Sequence, residues 1–356
     1  MTHRVSGQYG PGSRVLMTKT LTKGLLAGAL AACLSLGAVA TAHAGDRGHK
    51  GPGVPDRKIS VQLWTFAEYL GFGTDAATIE RTEEMFRRLR AMGYRNVEPF
   101  TTSGLSAEQY RALLDKYRLR APSRHVDVGT PDQPADIAQI LADNKTLGVR
   151  YFGSGATPQL TTEAEWVAYA RYLDKLGAQA RKAGQRLMVH NHNWEFETKF
   201  GDKTAFDVLL ANTSKHNVVF QLDLYWATFG GADPVALFKR HGKRIQLAHV
   251  KDMRGSDRRI EIVGEGVIDF PRIFAATKGP LKYYVVEHDP RFGDATFDPF
   301  EAAEKGFDYL DDVRFFKGRG HHHARTHDRG KPRKHDHGKR RGHDHGKDRG
   351  KHRDRH

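Results

Sequence analysis

Cysteine is nearly missing: the 356 residues hold one, Cys33. It lies in an apolar N-terminal stretch, so the remainder of the chain has no thiol for a disulfide, a nucleophile or a thiolate metal site. Acidic side chains are outnumbered, 42 Asp and Glu against 57 Lys and Arg, for a formal net charge of +15. That imbalance sits at the ends. Residues 317–356 carry fifteen Lys and Arg against five Asp, the first 44 residues carry four basic and no acidic side chains, and the span between is near neutral. The basic balance therefore gives no support to nucleic-acid binding by the middle of the chain. Long apolar runs are also scarce, the exception being 25–40.

The 25–40 run is rich in small residues, follows Lys19 and Lys23, and is followed by Ala42-His43-Ala44 and the polar Gly45-Asp46-Arg47. These features describe a secretory signal peptide over 1–44, with 45–57 as a linker and Met17 as a second candidate start. The competing reading is an uncleaved membrane anchor, which the Ala/Gly content and the cleavage signal oppose. Leu30-Ala31-Ala32-Cys33 has the look of a lipoprotein site, but the residues after it stay apolar. The expectation is an exported protein, periplasmic or secreted, with no stable membrane span after cleavage. At the other end, 317–356 is His-, Arg-, Lys-, Gly- and Asp-rich and repeats His-Asp-His-Gly-Lys at 335–339 and 343–347. Such a composition cannot bury a core, and disorder is expected there.

Between the ends, 58–316 reads as repeated strand and helix. Strand-like runs fall at 59–64, 96–98, 121–126, 151–153, 186–192, 218–223, 245–250 and 283–287. Amphipathic runs at 77–92, 106–117, 134–147, 163–183 and 234–241 separate them. Gly93, Gly148, Gly184 and Gly242 follow helical runs and are expected in the left-handed conformation that lets the chain reverse. Eight such units give a parallel sheet, closed into an α/β (β/α)8 TIM barrel. An open doubly wound sheet is the alternative, weakened because no glycine-rich phosphate loop follows the first strand.

In a (β/α)8 barrel the C-terminal strand ends hold the active site. Here those ends carry Glu98, His125, His190, His192, Asp223, His249 and Glu287. Taken singly, Glu98 can be a solvated rim residue and His125 a loop hydrogen-bonder. Asp223 and Glu287, however, close strongly apolar runs, where a lone carboxylate is costly unless a cation or hydrogen bonds satisfy it. Two carboxylates and an imidazole from separate strands suit a divalent cation. His192 is the candidate fourth ligand, with His190 contacting substrate or bracing a ligand from one layer deeper, or the reverse order.

Val189-His190-Asn191-His192-Asn193-Trp194-Glu195-Phe196, Leu222-Asp223-Leu224-Tyr225-Trp226, Leu247-Ala248-His249-Val250-Lys251-Asp252, Val263-Gly264-Glu265-Gly266 with Asp269-Phe270, and Val286-Glu287-His288-Asp289 resemble the sugar phosphate isomerase/epimerase family. This is the xylose-isomerase-like TIM barrel group, which also contains inosose dehydratase and endonuclease IV; the resemblance spans about 58–312. It implies a divalent metal (Mn, Zn, Co or Mg) on Asp223, His249 and Glu287. Where many members have a fifth-strand glutamate, this chain has His190–His192 with Glu195 just beyond. That departure points toward dehydration or β-elimination on a keto-sugar as well as epimerisation.

The shared chemistry is proton abstraction beside a carbonyl with metal stabilisation of an enediolate. Glu287, His125 or His192 is the candidate base. Lys251 is a candidate for contact with a substrate hydroxyl or oxyanion, the alternative being a solvated loop lysine. Glu98, His190, Glu195, Trp64 and Trp226 are candidate substrate contacts, and Phe66 and Trp194 further apolar walls. Export argues for a neutral sugar, polyol or glycoside derivative rather than a sugar phosphate. An endonuclease-like activity would need more histidine ligands than the strand ends offer. A competing class is a non-enzymatic exported metal- or sugar-binding protein working through the ten tail histidines.

Overall fold

A computed structural model describes residues 53–314, apart from 278, 280 and 292–294. The expected signal peptide, most of the linker and the basic tail lie outside the described residues. Eight parallel strands form one sheet: β1 (Ile59–Gln62), β2 (Asn96–Glu98), β3 (Ser123–His125), β4 (Tyr151–Gly153), β5 (Arg186–His190), β6 (Val218–Asp223), β7 (Ile245–Val250) and β8 (Tyr283–Val286). Their spatial order is 2-1-8-7-6-5-4-3. The ring closes between β2 and β3 through a bridge from Asn96 to Arg120 and the bond from His125 N–H to the Pro99 carbonyl (2.9 Å). The open-sheet alternative is thereby excluded.

A helix follows each strand: α1 (Ala76–Met92), α2 (Ala107–Lys116), α3 (Ile137–Leu147), α4 (Glu163–Lys182), α5 (Ala205–Ala211), α6 (Pro234–His241), α7 (Phe270–Ala275) and α8 (Pro299–Asp312). Each begins at an Asp, Ser or Thr whose side chain accepts a first-turn backbone N–H; these are Asp75, Ser106, Asp136, Thr162, Thr204, Asp233, Asp269 and Asp298. Such caps satisfy donors that the helix itself leaves open. Gly93, Gly148 and Gly184 take positive φ as expected. Gly242 does not: at φ −56° it stays right-handed and its N–H donates to the Phe238 carbonyl, and the chain turns instead at Arg244, whose N–H donates to His241 O.

Two apolar regions result. The larger lies between strands and helices, from Val54 to Val313. The smaller, Tyr151, Met188, Val219 and Leu247 with Tyr283, plugs the interior of the barrel near the strand starts. Side chains alternate along a strand, so two residues further on the inward positions of β5, β6 and β7 are His190, Gln221 and His249. On β6 the interior thus passes from Val219 through Gln221 to Asp223, all buried. The apolar floor sets the depth at which the polar layer begins. Among the described residues no helix is long and apolar enough to cross a membrane.

Candidate active site

The first polar layer is built around Glu98, which is fully buried and so is not a rim residue. One of its oxygens accepts from Gln62 Nε2 (2.8 Å) and lies 2.6 Å from His249 Nε2; the other accepts from Gln221 Nε2 (2.7 Å). Burial alone would raise Glu98, but His125 and His249 bring it down to about 2. His125 lies in the same layer, Nδ1 3.1 Å from Gln62 Nε2 and Nε2 2.8 Å from Gln221 Oε1. Both of its nitrogens are therefore engaged.

Above this layer, Asp223, His249 and Glu287 bring one ligand atom each to within 4.8 Å of one another. His249 Nδ1 lies 2.7 Å from Glu287 Oε2, so the imidazole bridges Glu287 and Glu98. Burial would lower His249, but the charges of Glu287 and Glu98 override it and lift it to about 10. Asp223 Oδ1 caps the short helix Leu224–Phe229 by accepting from Trp226 N–H (2.8 Å), whereas its buried Oδ2 makes no hydrogen bond. Asn191 fixes this strand end, its Oδ1 accepting from Asp223 N–H (3.0 Å).

Lys251 is buried, 1 % exposed, so it is not a solvated loop residue. Its ammonium lies 2.8 Å from Glu287 Oε2, 3.3 Å from Asp223 Oδ2 and 3.0 Å from Asp289 Oδ1. Burial would lower Lys251, but Asp223, Asp289 and Glu287 raise it well above its ordinary value. Burial would raise Glu287, but Lys251 and His249 pull it below the usual carboxylate range. Asp289 is pushed up to about 6 by burial, against Lys251.

His190 and His192 flank this group, but β5 ends at His190, so His192 sits past the strand and not on it. The difference arises because His192 N–H donates to Glu195 Oε2 (2.8 Å) instead of continuing the ladder. His125, His190 and His249 form a second set of ligand atoms within 4.8 Å; His192 belongs to neither set. The Nδ1 atoms of both His190 and His192 are buried without a hydrogen-bond partner. Burial, then Lys251, hold His192 down at about 3, and burial keeps His190 well below its ordinary value. The His192 ring stacks on Trp194 (centroids 4.4 Å apart, 5° between planes) and approaches Trp226 at 5.2 Å. Glu195 is buried, with both oxygens in use: one accepts from the Thr157 hydroxyl (2.5 Å), the other from His192 N–H. Burial pushes it up to about 7.

Trp226 lies over Lys251, its ring centroid 5.6 Å from Nζ. Trp64 follows β1 and meets Phe100 edge-on at 5.1 Å, while Phe66 is fully buried in the outer core and is no wall of the site. The Val263–Gly266 motif has a structural part to play. Asp252 accepts the N–H groups of Gly264, Gly266 and Ile268, and a Cβ on Gly266 would lie 2.3 Å from Asp252 Oδ1. Sequence reasoning passed over Gln62, Gln221, Asn191 and Asp289. The signal for Gln221 was available: it lies two residues before the strand-end carboxylate Asp223, on the same face of β6.

The donor set suits a divalent cation. Among the described residues, four buried or half-buried carboxylates (Glu98, Asp223, Glu287 and Asp289) share two cationic partners, Lys251 and His249, and Asp223 Oδ2 faces the Lys251 ammonium at 3.3 Å without making a hydrogen bond. A cation displacing the His249 proton would correct both deficits.

Residues 86–313 match the Xylose isomerase-like TIM barrel family model, and the chain belongs to that family. The rhizopine catabolism protein MocC of Rhizobium meliloti is 33% identical over 271 residues, covering 65% of this chain and 81% of that protein. An inosose dehydratase of Lacticaseibacillus casei is 30% identical over 171 residues, 42% of this chain and 55% of the relative, so the chain spans about half the length of that relative. The structure of a sugar phosphate isomerase/epimerase from Parabacteroides distasonis ATCC 8503 shares the fold, with a TM-score of 0.59 and 24% identity, covering 74% of this chain and 96% of that one.

Proposed function

We propose that this protein is a metal-dependent isomerase, epimerase or lyase acting on a sugar or keto-sugar, and that its reaction begins by removal of the proton beside a carbonyl. The observation that carries this reading is the convergence of Asp223, His249 and Glu287 around a buried carboxylate oxygen with no hydrogen bond. Those three residues would hold the cation, which when bound supplies Lewis acidity at the substrate carbonyl.

The chain's own groups divide the remaining work. Glu98 holds the His249 ring in orientation from below, the arrangement common behind metal-ligating imidazoles. His125 has both nitrogens engaged, and Glu287 is held by His249 and Lys251. His192 is therefore the favoured base: it is neutral, its Nδ1 is unengaged, and Glu195 fixes its backbone. Burial is the larger cause of the His192 depression, and negative charge growing on the substrate beside Lys251 offsets the smaller part that the Lys251 charge contributes, so the imidazole gains some basicity as the proton moves. Trp226 and Trp64 would wall a sugar ring.

After that first step the outcomes part. Return of the proton to the same or the neighbouring carbon gives an epimer or isomer; loss of a β-hydroxyl as water gives a dehydration product. The inosose dehydratase likeness and the histidines at the fifth strand end favour the second. Export would make a neutral sugar, polyol or glycoside derivative the expected substrate, and N-terminal sequencing of the mature protein tests that premise. The test of function is a screen of keto-sugars, inososes and 3-keto-glycosides in deuterated water with Mn, Zn, Co or Mg. Deuterium gained beside the carbonyl, or loss of water from the substrate, supports the reading. Native-rate turnover after verified metal removal overturns it.

A further inference from the structure

Lys251 occupies the very carboxylate group proposed above to hold the cation. Its ammonium touches Glu287 Oε2 and Asp223 Oδ2, the two oxygens that turn toward His249. It also reaches both oxygens of Asp289, at 3.0 and 3.2 Å. A lysine would be a poor choice merely to fill space there, because burying an ammonium is costly without full pairing. Three carboxylates provide that pairing, two of them shared with the candidate metal site and one, Asp289, outside it.

We infer that Lys251 is a tethered cation: it occupies Asp223 and Glu287 in the metal-free protein, competes with the divalent ion for them, and withdraws onto Asp289 when the ion enters. The inference rests on the metal reading of this site. It has two consequences. Metal affinity is set by a contest between an internal ammonium and an external ion, so removing the ammonium tightens binding. Asp289 assists binding only through Lys251, by offering it a second seat.

The experiment is a Mn2+ titration of the full-length chain, with free ion followed by its electron paramagnetic resonance. Asp223→Ala serves as the blank for ion taken up by the histidine-rich tail. Mn2+ is chosen because it is the weakest of the first-row ions for imidazole-type sites. Lys251→Met is expected to lower the Kd at least tenfold, and Asp289→Asn to raise it about as much, since two cations sharing two carboxylates repel strongly at low dielectric. In the Lys251→Met background, Asp289→Asn is expected to have little further effect, the mark of coupled residues in a double-mutant cycle. Unchanged or weaker binding by Lys251→Met overturns the inference, as does a full Asp289→Asn effect when Lys251 is absent. If Lys251→Met fails to fold, Lys251→Gln carries the same expectation. Should wild type bind no Mn2+ above the blank while Lys251→Met binds it, the tethered cation stands and native metal dependence falls. Should neither bind, both fall.

Discussion

Replacing Glu98 with Gln probes the layer on which the site rests. The carboxylate takes hydrogen bonds from Gln62 and Gln221 and faces His249 at 2.6 Å. Gln at this position removes the charge and turns an amide N–H2 toward groups that are themselves donors. Glu98 is held at about 2 instead of its ordinary 4.5, which corresponds to about 3 kcal/mol of stability at neutral pH. That agrees with the ~3–5 kcal/mol usual for removing one partner of a buried pair. Because the folded-state value is depressed, the contribution is present above pH 4.5 and disappears as pH falls toward 2. The assay is urea unfolding of metal-free protein at pH 7 and again near pH 3. The variant should lose about 3 kcal/mol at pH 7 and less than half of that, about 1.4 kcal/mol, near pH 3. A loss below about 1 kcal/mol at pH 7 would refute the buried ion pair with His249.

His192→Gln should lower kcat by about two decades, the scale of a lost general base, while leaving metal content unchanged; loss of the metal instead would assign His192 as a ligand. Glu195 is raised from 4.5 to about 7, so it binds a proton more tightly folded than unfolded, and stability should decline between those two pH values. Glu195→Gln should flatten that decline, seen as a thermal transition that varies less between pH 4.5 and 7 than in wild type; an unchanged slope would sink the assignment. Truncation after Phe316 should leave the thermal transition nearly unmoved, since the core closes within Val54–Val313; a fall of many degrees would show that the removed residues contribute to the fold.

Much of the barrel was legible because helices and strands alternate with distinct periods. Strands β2, β4, β6 and β7 and helix α6 fall where the apolar runs and caps put them. The first and fifth strands end early because their last residues leave the ladder: Trp64 enters a 3-10 turn capped by Gln62, and His192 turns to Glu195. Asp223, His249 and Glu287 were legible as carboxylates and an imidazole closing apolar runs, a pattern with a physical cost that calls for a partner. The burial of Lys251 was not, because a lysine past a strand end looks the same in sequence whether solvent or three carboxylates receive it. Gln62 and Gln221 were passed over for a similar reason. Their importance lies in joining β1 and β6 to Glu98 across the barrel, a relation between strands far apart in the chain.

The assignment of a catalytic divalent cation to Asp223, His249 and Glu287 is the premise of the proposed reaction. It is tested most directly by the metal content of protein truncated after Phe316, which removes the tail histidines, measured by elemental analysis in wild type and in Asp223→Ala. Stoichiometric metal is expected in wild type and none in the variant. Equal metal in the two proteins would contradict it.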